Sequence, residues 1–152
     1  MPDGRLIGPF NAFLRVPAIG TAQLEWAEAI SAAGLPKGAG EVAVLTVAAE
    51  YDAEYVLYAH RIAAARAGVS ERGIAEVTAR RTATALSAEE LLAHRLAIAL
   101  VRHHDVADDL YAEVLAHYGE QGTVALTTLV GQYLATCALL ICFRVPGPHR
   151  DR

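Results

Sequence analysis

Three side chains of the sequence combine the groups that acid/base catalysis requires. Glu41 and Glu54 supply carboxylates and His60 supplies an imidazole, and all three fall within two consecutive, mostly apolar segments. Titratable groups in apolar surroundings acquire shifted pKa values, which general acid and base catalysis uses. The grouping therefore predicts a catalytic site at Glu41, Glu54 and His60.

The spacing of these residues indicates which of them share a helix face. At 3.6 residues per turn, Ala53, Val56 and His60 lie within about 60° of one another, whereas Glu54 points elsewhere. A structural role explains the same residues: His60 would be a satisfied core or interface histidine, and the glutamates would cap helices or pair with arginines such as Arg61. Both interpretations stay open on the residues alone.

Other candidate groups have simpler explanations. His104 and Asp108 are spaced i, i+4, but two ligands fall short of the three or four that a zinc site uses, so no metal site is predicted. Trp26 and the six tyrosines could line an aromatic pocket, but core packing and subunit contacts use the same residue types and are the preferred explanation. Arg144 could bind a substrate carboxylate, but a surface arginine needs no such role.

The chain that must position these residues is short, acidic and apolar. Its 152 residues, 54% hydrophobic and 20% charged, with a mean hydropathy of +0.28, fit one compact domain and exclude disorder over most of the length. A net charge of -4 makes nucleic acid an unexpected partner. Cys137 and Cys142 are too few for a disulfide framework, and residues 1–20 contain no continuous apolar stretch of a signal peptide, so a cytoplasmic location is expected.

Helix signals dominate the chain. Alanine, the strongest helix former, makes up roughly a fifth of the residues, and no stretch alternates as a half-buried strand would. These features predict an all-α fold, with residues 1–20 as an arm packing on the body, 21–145 as one helical domain and 146–152 as a flexible tail. The predicted helices span approximately residues 21–33, 40–51, 53–67, 70–82, 88–104, 108–118 and 123–143.

The last of these helices raises the question of a membrane. Residues 123–143 carry no charge and are long enough to cross a bilayer. Several threonines, Gln132 and a thin basic flank argue against a span. We therefore expect no membrane partner, and interpret the segment as a central helix packed by its own chain and by a neighbouring subunit.

Three stretches of the sequence resemble the carboxymuconolactone decarboxylase and alkyl hydroperoxidase D (AhpD)-like superfamily. They are Glu41 with Ala53-Glu54-Tyr55-Val56 and His60, the arm at residues 8–17, and the last helix from Leu129-Val130-Gly131-Gln132-Tyr133 through Phe143-Arg144-Val145-Pro146. The resemblance covers most of the chain. It implies a compact all-α, AhpD-like bundle of about six to seven helices that forms a homo-oligomer, such as a dimer, trimer or hexamer.

The resemblance also shows a missing motif. Peroxidase members carry a Glu, a Cys-x-x-Cys pair and a His; Glu41 and His60 match, but the two cysteine positions hold Ala53 and Val56. Without a thiolate there is neither a nucleophile that attacks peroxide nor a resolving partner. An AhpD-like peroxidase (peroxiredoxin activity) is therefore disfavoured.

What the Cys-less branch implies is lyase-type acid/base chemistry, without a cofactor, on a small carboxylated or lactone substrate. In that reading His60 is the proton donor or base, Glu41 orients it, and Glu54 or Tyr55 contacts the substrate. The alternative is a non-catalytic relative that keeps the scaffold as a ligand-binding or assembly module.

Overall fold

The computed structural model describes residues 8–147, which form seven α-helices and no strand. The helices are α1 (Phe10–Phe13), α2 (Pro17–Ala32), α3 (Lys37–Glu50), α4 (Glu54–Arg66), α5 (Glu71–Thr78), α6 (Ala88–Ile98) and α7 (Asp108–Cys142). A π-helical turn, Ala99–His103, continues α6. The predicted all-α bundle of six to seven helices is confirmed.

Helix α3 is the centre of the bundle. Every residue from 42 to 49 is buried, and α4, α5, α6 and α7 all pack against this helix. A helix that is apolar on most of its circumference, as this one is, is stable only when it is covered on several sides. Glu41 lies at the edge of the buried stretch, where its carboxylate keeps a partly exposed position.

The ends of several helices differ from the sequence prediction. Residues before Thr21 are predicted to be irregular, yet α2 already begins at Pro17, because the fixed φ of proline suits the first helical position. The capping box of Ser87 and Glu90 forms as predicted at the start of α6. Helix α6 changes to the π-helical turn after Ile98, and His104 ends it in the left-handed region.

Helix α7 consists of two segments joined at Gly119. This residue has φ 68° and ψ 178°, which breaks the helix between residues 108–118 and 120–142. The sequence predicts a break at both Gly119 and Gly122, but Gly122 is buried within the second segment, where an added Cβ would lie 2.8 Å from the Tyr118 Cβ.

Replacing Gly119 with alanine is expected to lower the free energy of unfolding by about 1–3 kcal/mol, because this backbone region is essentially restricted to glycine. Gly40→Ala is the matched control, since Gly40 has helical geometry and its Cβ would make an ordinary 3.5 Å contact with Leu129. Chemical denaturation of both variants provides the comparison. Equal stability of the two would show that the Gly119 backbone relaxes without cost.

The connection between α5 and α6 is held by one buried carboxylate. Glu76 Oε2 accepts hydrogen bonds from the backbone N–H groups of Thr84 (2.6 Å) and Ala85 (3.0 Å). Its Oε1 accepts from the Thr84 hydroxyl and from Arg72 Nε, both at 2.8 Å. These bonds lower the pKa of Glu76 to about 2, with the Thr84 backbone bond the largest cause.

Two sequence predictions extend beyond the described residues. The arm predicted at 1–20 includes residues 1–7, and the tail predicted at 146–152 includes residues 148–152, all of which lie outside the described part of the chain. The division into arm, domain and tail therefore stays a prediction.

Helix α7 is long and apolar enough to cross a membrane by length and composition. The core helix of a soluble protein satisfies the same criteria, so one such helix is weak evidence for a span. Only 33% of its most apolar 18-residue window is buried within the described chain.

Candidate functional site

Two consecutive helices bring Glu41 and His60 together. Glu41 lies in the first turns of α3 and His60 lies near the middle of α4, and the distance between Glu41 Oε2 and His60 Nδ1 is 2.7 Å. The side chains are 24% and 20% exposed, so the pair lies at the edge of the core and is not sealed inside it. The carboxylate can only accept, so the Nδ1–H of the imidazole donates this hydrogen bond.

Tyr133 of α7 completes the site. Its hydroxyl oxygen lies 2.9 Å from His60 Nε2, and the two rings meet edge to face with centroids 4.9 Å apart. Burial raises the pKa of Tyr133, and the charge of Glu41 and the nearby Cys137 raise it further. The phenol therefore stays protonated at neutral pH, and its O–H can donate to Nε2 whenever that nitrogen carries no proton.

The three side chains form a continuous hydrogen-bonded chain across three helices. Glu41 fixes the tautomer of His60 in which Nδ1 carries the proton, which leaves Nε2 as the basic atom. If Nε2 takes up a proton, the Tyr133 hydroxyl can rotate and accept a bond from it, while Glu41 stabilises the resulting imidazolium. The arrangement can thus accept and return one proton, because the positive charge that forms on His60 lies beside the Glu41 carboxylate.

Glu54 and Tyr55 are not part of this hydrogen-bonded chain. Glu54 is exposed, and its Oε2 lies 3.4 Å from the backbone N–H of Gly147. Tyr55 is half-buried, and burial raises the pKa of its phenol. Both residues line a cleft of about 290 Å³ between the start of α4 and the end of α7, together with Asp52, Ala53, Leu140, Ile141, Arg144, Val145 and Pro146.

The cleft lies at some distance from the imidazole. Glu54 and His60 are six positions apart, which corresponds to about 9 Å along α4. The sequence prediction groups Glu54 with Glu41 and His60, whereas the structure places Glu54 at the start of α4, apart from the Glu41–His60 pair. The helix phase already indicates this, because Glu54 does not share the face of His60.

Buried apolar groups occupy the two positions that the sequence resemblance aligns with a dithiol. Ala53 and Val56 are 4% and 2% exposed and belong to the main core, as does Cys137. Burial raises the pKa of the Cys137 thiol to about 12, so this sulfur is a neutral thiol at physiological pH. Cys142 is exposed at the end of α7, and both cysteines are free.

Within residues 8–147, no group of three or more His, Cys, Asp or Glu side chains converges as a metal site would. The expectation of a site without metal or other cofactor stays a prediction.

Glu41 is paired with His60, whereas the structural interpretation from the sequence pairs it with an arginine.

Tyr133 is the site residue that the sequence prediction missed. A tyrosine in an uncharged helix is as well suited to core packing as to a functional site. No local spacing connects Tyr133 to His60, which lies 73 positions earlier in the chain. A signal exists only at the level of the fold: Tyr133 lies within the segment that resembles the last helix of the superfamily.

Comparison with solved structures identifies the fold. A crystal structure from Agrobacterium tumefaciens superimposes with a TM-score of 0.82 and 17% sequence identity, over 92% of this chain and 97% of that chain. That protein is described as one of unknown function and, provisionally, as the antioxidant defence protein AhpD. No protein-family profile and no curated sequence matches the chain. The fold is thus AhpD-like, as the resemblance in sequence implies.

Proposed function

We propose that this protein catalyses proton transfer without a cofactor, in lyase-type chemistry on a small carboxylated or lactone substrate. One observation carries the proposal: His60 is bonded at Nδ1 to a carboxylate and at Nε2 to a phenol, at 2.7 Å and 2.9 Å. A histidine whose tautomer is fixed and whose second nitrogen faces a proton donor is suited to general acid and base catalysis.

The proposed reaction is decarboxylation next to an enolisable or vinylogous carbonyl. The bond between carbon and carboxylate breaks, carbon dioxide leaves, and the electron pair remains on the substrate as a dienolate. The Tyr133 hydroxyl turns away from Nε2 as the substrate takes its place, and protonated His60 then gives its Nε2 proton to carbon; the imidazole regains a proton from water before the next turnover. Glu41 stabilises the imidazolium, and Tyr133 holds the ring between turnovers.

Glu54 and Tyr55 are proposed to contact the far end of the substrate from the 290 Å³ cleft. Glu54 lies about 9 Å along α4 from His60. A substrate that contacts Glu54 must therefore be long enough to reach the imidazole from the cleft, or must move past the residues that line the cleft. The proposal includes a cytoplasmic location, with a small molecule as the partner and neither nucleic acid nor membrane.

A non-catalytic relative is the second candidate, and one observation favours it. Both nitrogens of His60 already have partners within the protein, which is what a structural histidine that ties α3, α4 and α7 together would show. An AhpD-like peroxidase is less well supported, because Ala53 and Val56 replace the dithiol and burial keeps Cys137 neutral.

Turnover assays separate the three candidates. Carboxylated lactones and β-keto acids are incubated with the protein in D2O and followed by NMR for loss of carboxylate and for deuterium at the neighbouring carbon; peroxide consumption is measured in parallel. The double variant Cys137→Ala, Cys142→Ser is the matched thiol-free control. The proposal expects turnover that the double variant retains.

Two results would contradict the proposal. Peroxide consumption that disappears in the double variant would identify a thiol enzyme. Absence of both decarboxylation and deuterium exchange across the whole panel would favour the non-catalytic relative.

A further inference from the structure

A second cleft, of about 440 Å³, lies between the end of α6 and the start of α7. We call it the π-turn cleft, and its lining residues are His94, Arg95, Ile98, Ala99, His103, Asp105, Ala107 and Leu110. It shares no lining residue with the 290 Å³ cleft and no member with the Glu41–His60–Tyr133 site. The reaction proposed above therefore leaves this cleft without a role.

The π-helical turn brings a second imidazole into the π-turn cleft. Ile98 and His103 are five positions apart, so in an ordinary α-helix they would point about 140° away from each other. The hydrogen bonds of a π-helix join residues five positions apart, which brings such a pair onto one face, and turns of this kind recur at functional sites. The departure from regular geometry at Ala99–His103 thus places His103 beside Ile98 in the cleft.

His94 carries a lone pair on the nitrogen that is not bonded to α3. Its Nδ1 lies 2.8 Å from Thr46 Oγ1, and the same hydroxyl lies 2.7 Å from the carbonyl oxygen of Val42. A hydroxyl has one proton, so both contacts are hydrogen bonds only if Thr46 donates to Val42 and accepts from the Nδ1–H of His94. Burial and the charge of Arg102 lower the pKa of His94, against the opposing effect of Glu50. The ring is therefore neutral at neutral pH, with its lone pair on Nε2.

The Nε2 atom of His94 is open to a ligand. Among the described residues, His94 forms a side-chain hydrogen bond only through Nδ1, and no buried side-chain nitrogen or oxygen lacks a partner. An unbonded Nε2 must therefore be accessible to solvent, and the cleft that His94 lines provides this access. Nε2 is thus a hydrogen-bond acceptor on the wall of the π-turn cleft.

The charges around the cleft favour a cation. Arg95 binds the Glu113 carboxylate through two hydrogen bonds. Arg102 binds the Glu50 carboxylate in the same way, so the charges of both arginines are already compensated. Within residues 8–147, Asp105 forms no ion pair, and its Oδ1 accepts from the adjacent backbone N–H. The cleft therefore offers acceptor atoms and one uncompensated negative charge.

The start of α7 does not reverse this preference. Free N–H groups at a helix N-terminus attract anions. Here the first turn already contains Asp108 and Asp109, and the Asp109 carboxylate accepts from the N–H of Leu110. An anionic ligand would meet two further carboxylates near the helix start.

We propose that the π-turn cleft binds a small primary amine with an apolar body. The ammonium group donates a hydrogen bond to Nε2 of His94, and the Asp105 carboxylate supplies the opposite charge. The body packs against the aliphatic wall of the cleft, which consists of Ile98, Ala99, Ala107 and Leu110. The volume lies within the usual range of small-molecule sites. A metal ion fits less well, because no three ligating side chains converge within the described chain.

Three benzyl compounds of similar size test the preference for an amine. Benzylammonium chloride, benzyl alcohol and sodium benzoate are titrated into ¹⁵N-labelled protein at neutral pH and equal ionic strength, and the amide shifts are followed by NMR. Benzylammonium is expected to bind about tenfold or more tightly than the alcohol, because its hydrogen bonds are charge-assisted. The shifts should centre on residues 94–110. Equal affinities, tighter binding of benzoate, or shifts centred elsewhere would overturn the proposal.

Two variants test the residues that hold the amine. His94→Phe keeps a ring but removes Nε2, and Asp105→Asn removes the charge while its amide oxygen can still accept from the N–H of Val106. Each variant is expected to weaken the binding of benzylammonium about tenfold. Asp105 is exposed, so Asp105→Asn tests the proposal even if His94→Phe fails to fold.

Glu28→Gln is the matched control for charge. Glu28 is exposed on α2, which contributes no residue to the π-turn cleft, and its replacement changes the net charge by the same amount as Asp105→Asn. The affinity for benzylammonium should therefore stay at the wild-type value. An equal loss in Glu28→Gln and Asp105→Asn would indicate general attraction of cations to an acidic protein, and unchanged affinity in Asp105→Asn would remove the proposed counter-charge; either result overturns the proposal.

Discussion

Replacing His60 with glutamine is expected to lower the rate of turnover by about 10²–10⁴-fold, the usual contribution of a positioned acid or base. Glutamine retains polar atoms near the two ring nitrogens and can still bond to Glu41 or Tyr133, but it cannot carry a proton between them. The same variant should unfold at nearly the wild-type denaturant concentration. The expected result is therefore a large loss of rate with a small loss of stability.

The partners of His60 should affect the reaction in a definite order. Glu41→Gln removes the charge that fixes the tautomer and stabilises the imidazolium, so we expect a loss of at least about 10²-fold. Tyr133→Phe removes one neutral hydrogen bond and should cost about tenfold. His117→Gln is the matched control, because His117 also lies near a glutamate, Glu89, but on the surface at 43% exposure.

The opposite pattern would identify a structural histidine. If His60→Gln keeps the full rate with a substrate that the protein turns over, His60 is not the acid or base. If the variant instead unfolds readily and the wild type turns over no substrate, the bonds to Glu41 and Tyr133 hold the bundle together, as the non-catalytic alternative requires.

The pairing of Glu41 with His60 was within reach of the sequence because the resemblance implies that Glu41 orients His60, and local features agree with it. Glu41 is the polar residue at the start of the apolar α3 and His60 lies near the middle of α4, and a short connection makes these helices antiparallel neighbours. The all-α fold follows in the same way from alanine content, glycine stops and the Ser87 capping box. These signals act over a few residues and do not require knowledge of the tertiary structure.

The position of Tyr133 could not be predicted in this way. Its contact with His60 depends on how α7 crosses α4, and side-chain packing across 73 residues leaves no periodic signal in the chain. The sequence prediction groups Glu54 with His60 because both are titratable, although the helix phase separates them. The π-helical turn at Ala99–His103 likewise has no distinct propensity, since its sequence is suited to an ordinary helix.

Glu76 is a second case in which tertiary structure decides the role of a residue. Within an amphipathic segment it resembles any solvated glutamate, yet it is 6% exposed and bonds to the loop that follows α5. The loop brings two backbone N–H groups to one carboxylate oxygen, and such an arrangement cannot be recognised from spacing alone.

Replacing Glu76 with glutamine is expected to lower the thermal unfolding midpoint at pH 7 by about 5–10 °C. The carboxylate accepts four hydrogen bonds and donates none. In glutamine one oxygen becomes an NH2 group, which must face either the backbone N–H groups of Thr84 and Ala85 or the side chain of Arg72. A donor then opposes a donor whichever way the amide turns. Glu113→Gln is the control, because its pair with Arg95 is half exposed and should contribute little.

The difference in unfolding midpoint between wild type and Glu76→Gln should become smaller as the pH falls. Hydrogen bonds from Thr84, first the backbone and then the hydroxyl, and from Arg72 lower the pKa of Glu76 in the folded protein to about 2, from an ordinary value of 4.5. A carboxyl group with a lowered pKa stabilises the fold fully above its unfolded pKa and loses that contribution as pH falls towards the folded pKa. Unfolding midpoints of both proteins measured between pH 7 and pH 2 should therefore converge below pH 4.5, while other carboxylates affect both equally. A constant difference across this range would show that Glu76 acts through its shape and not through its charge.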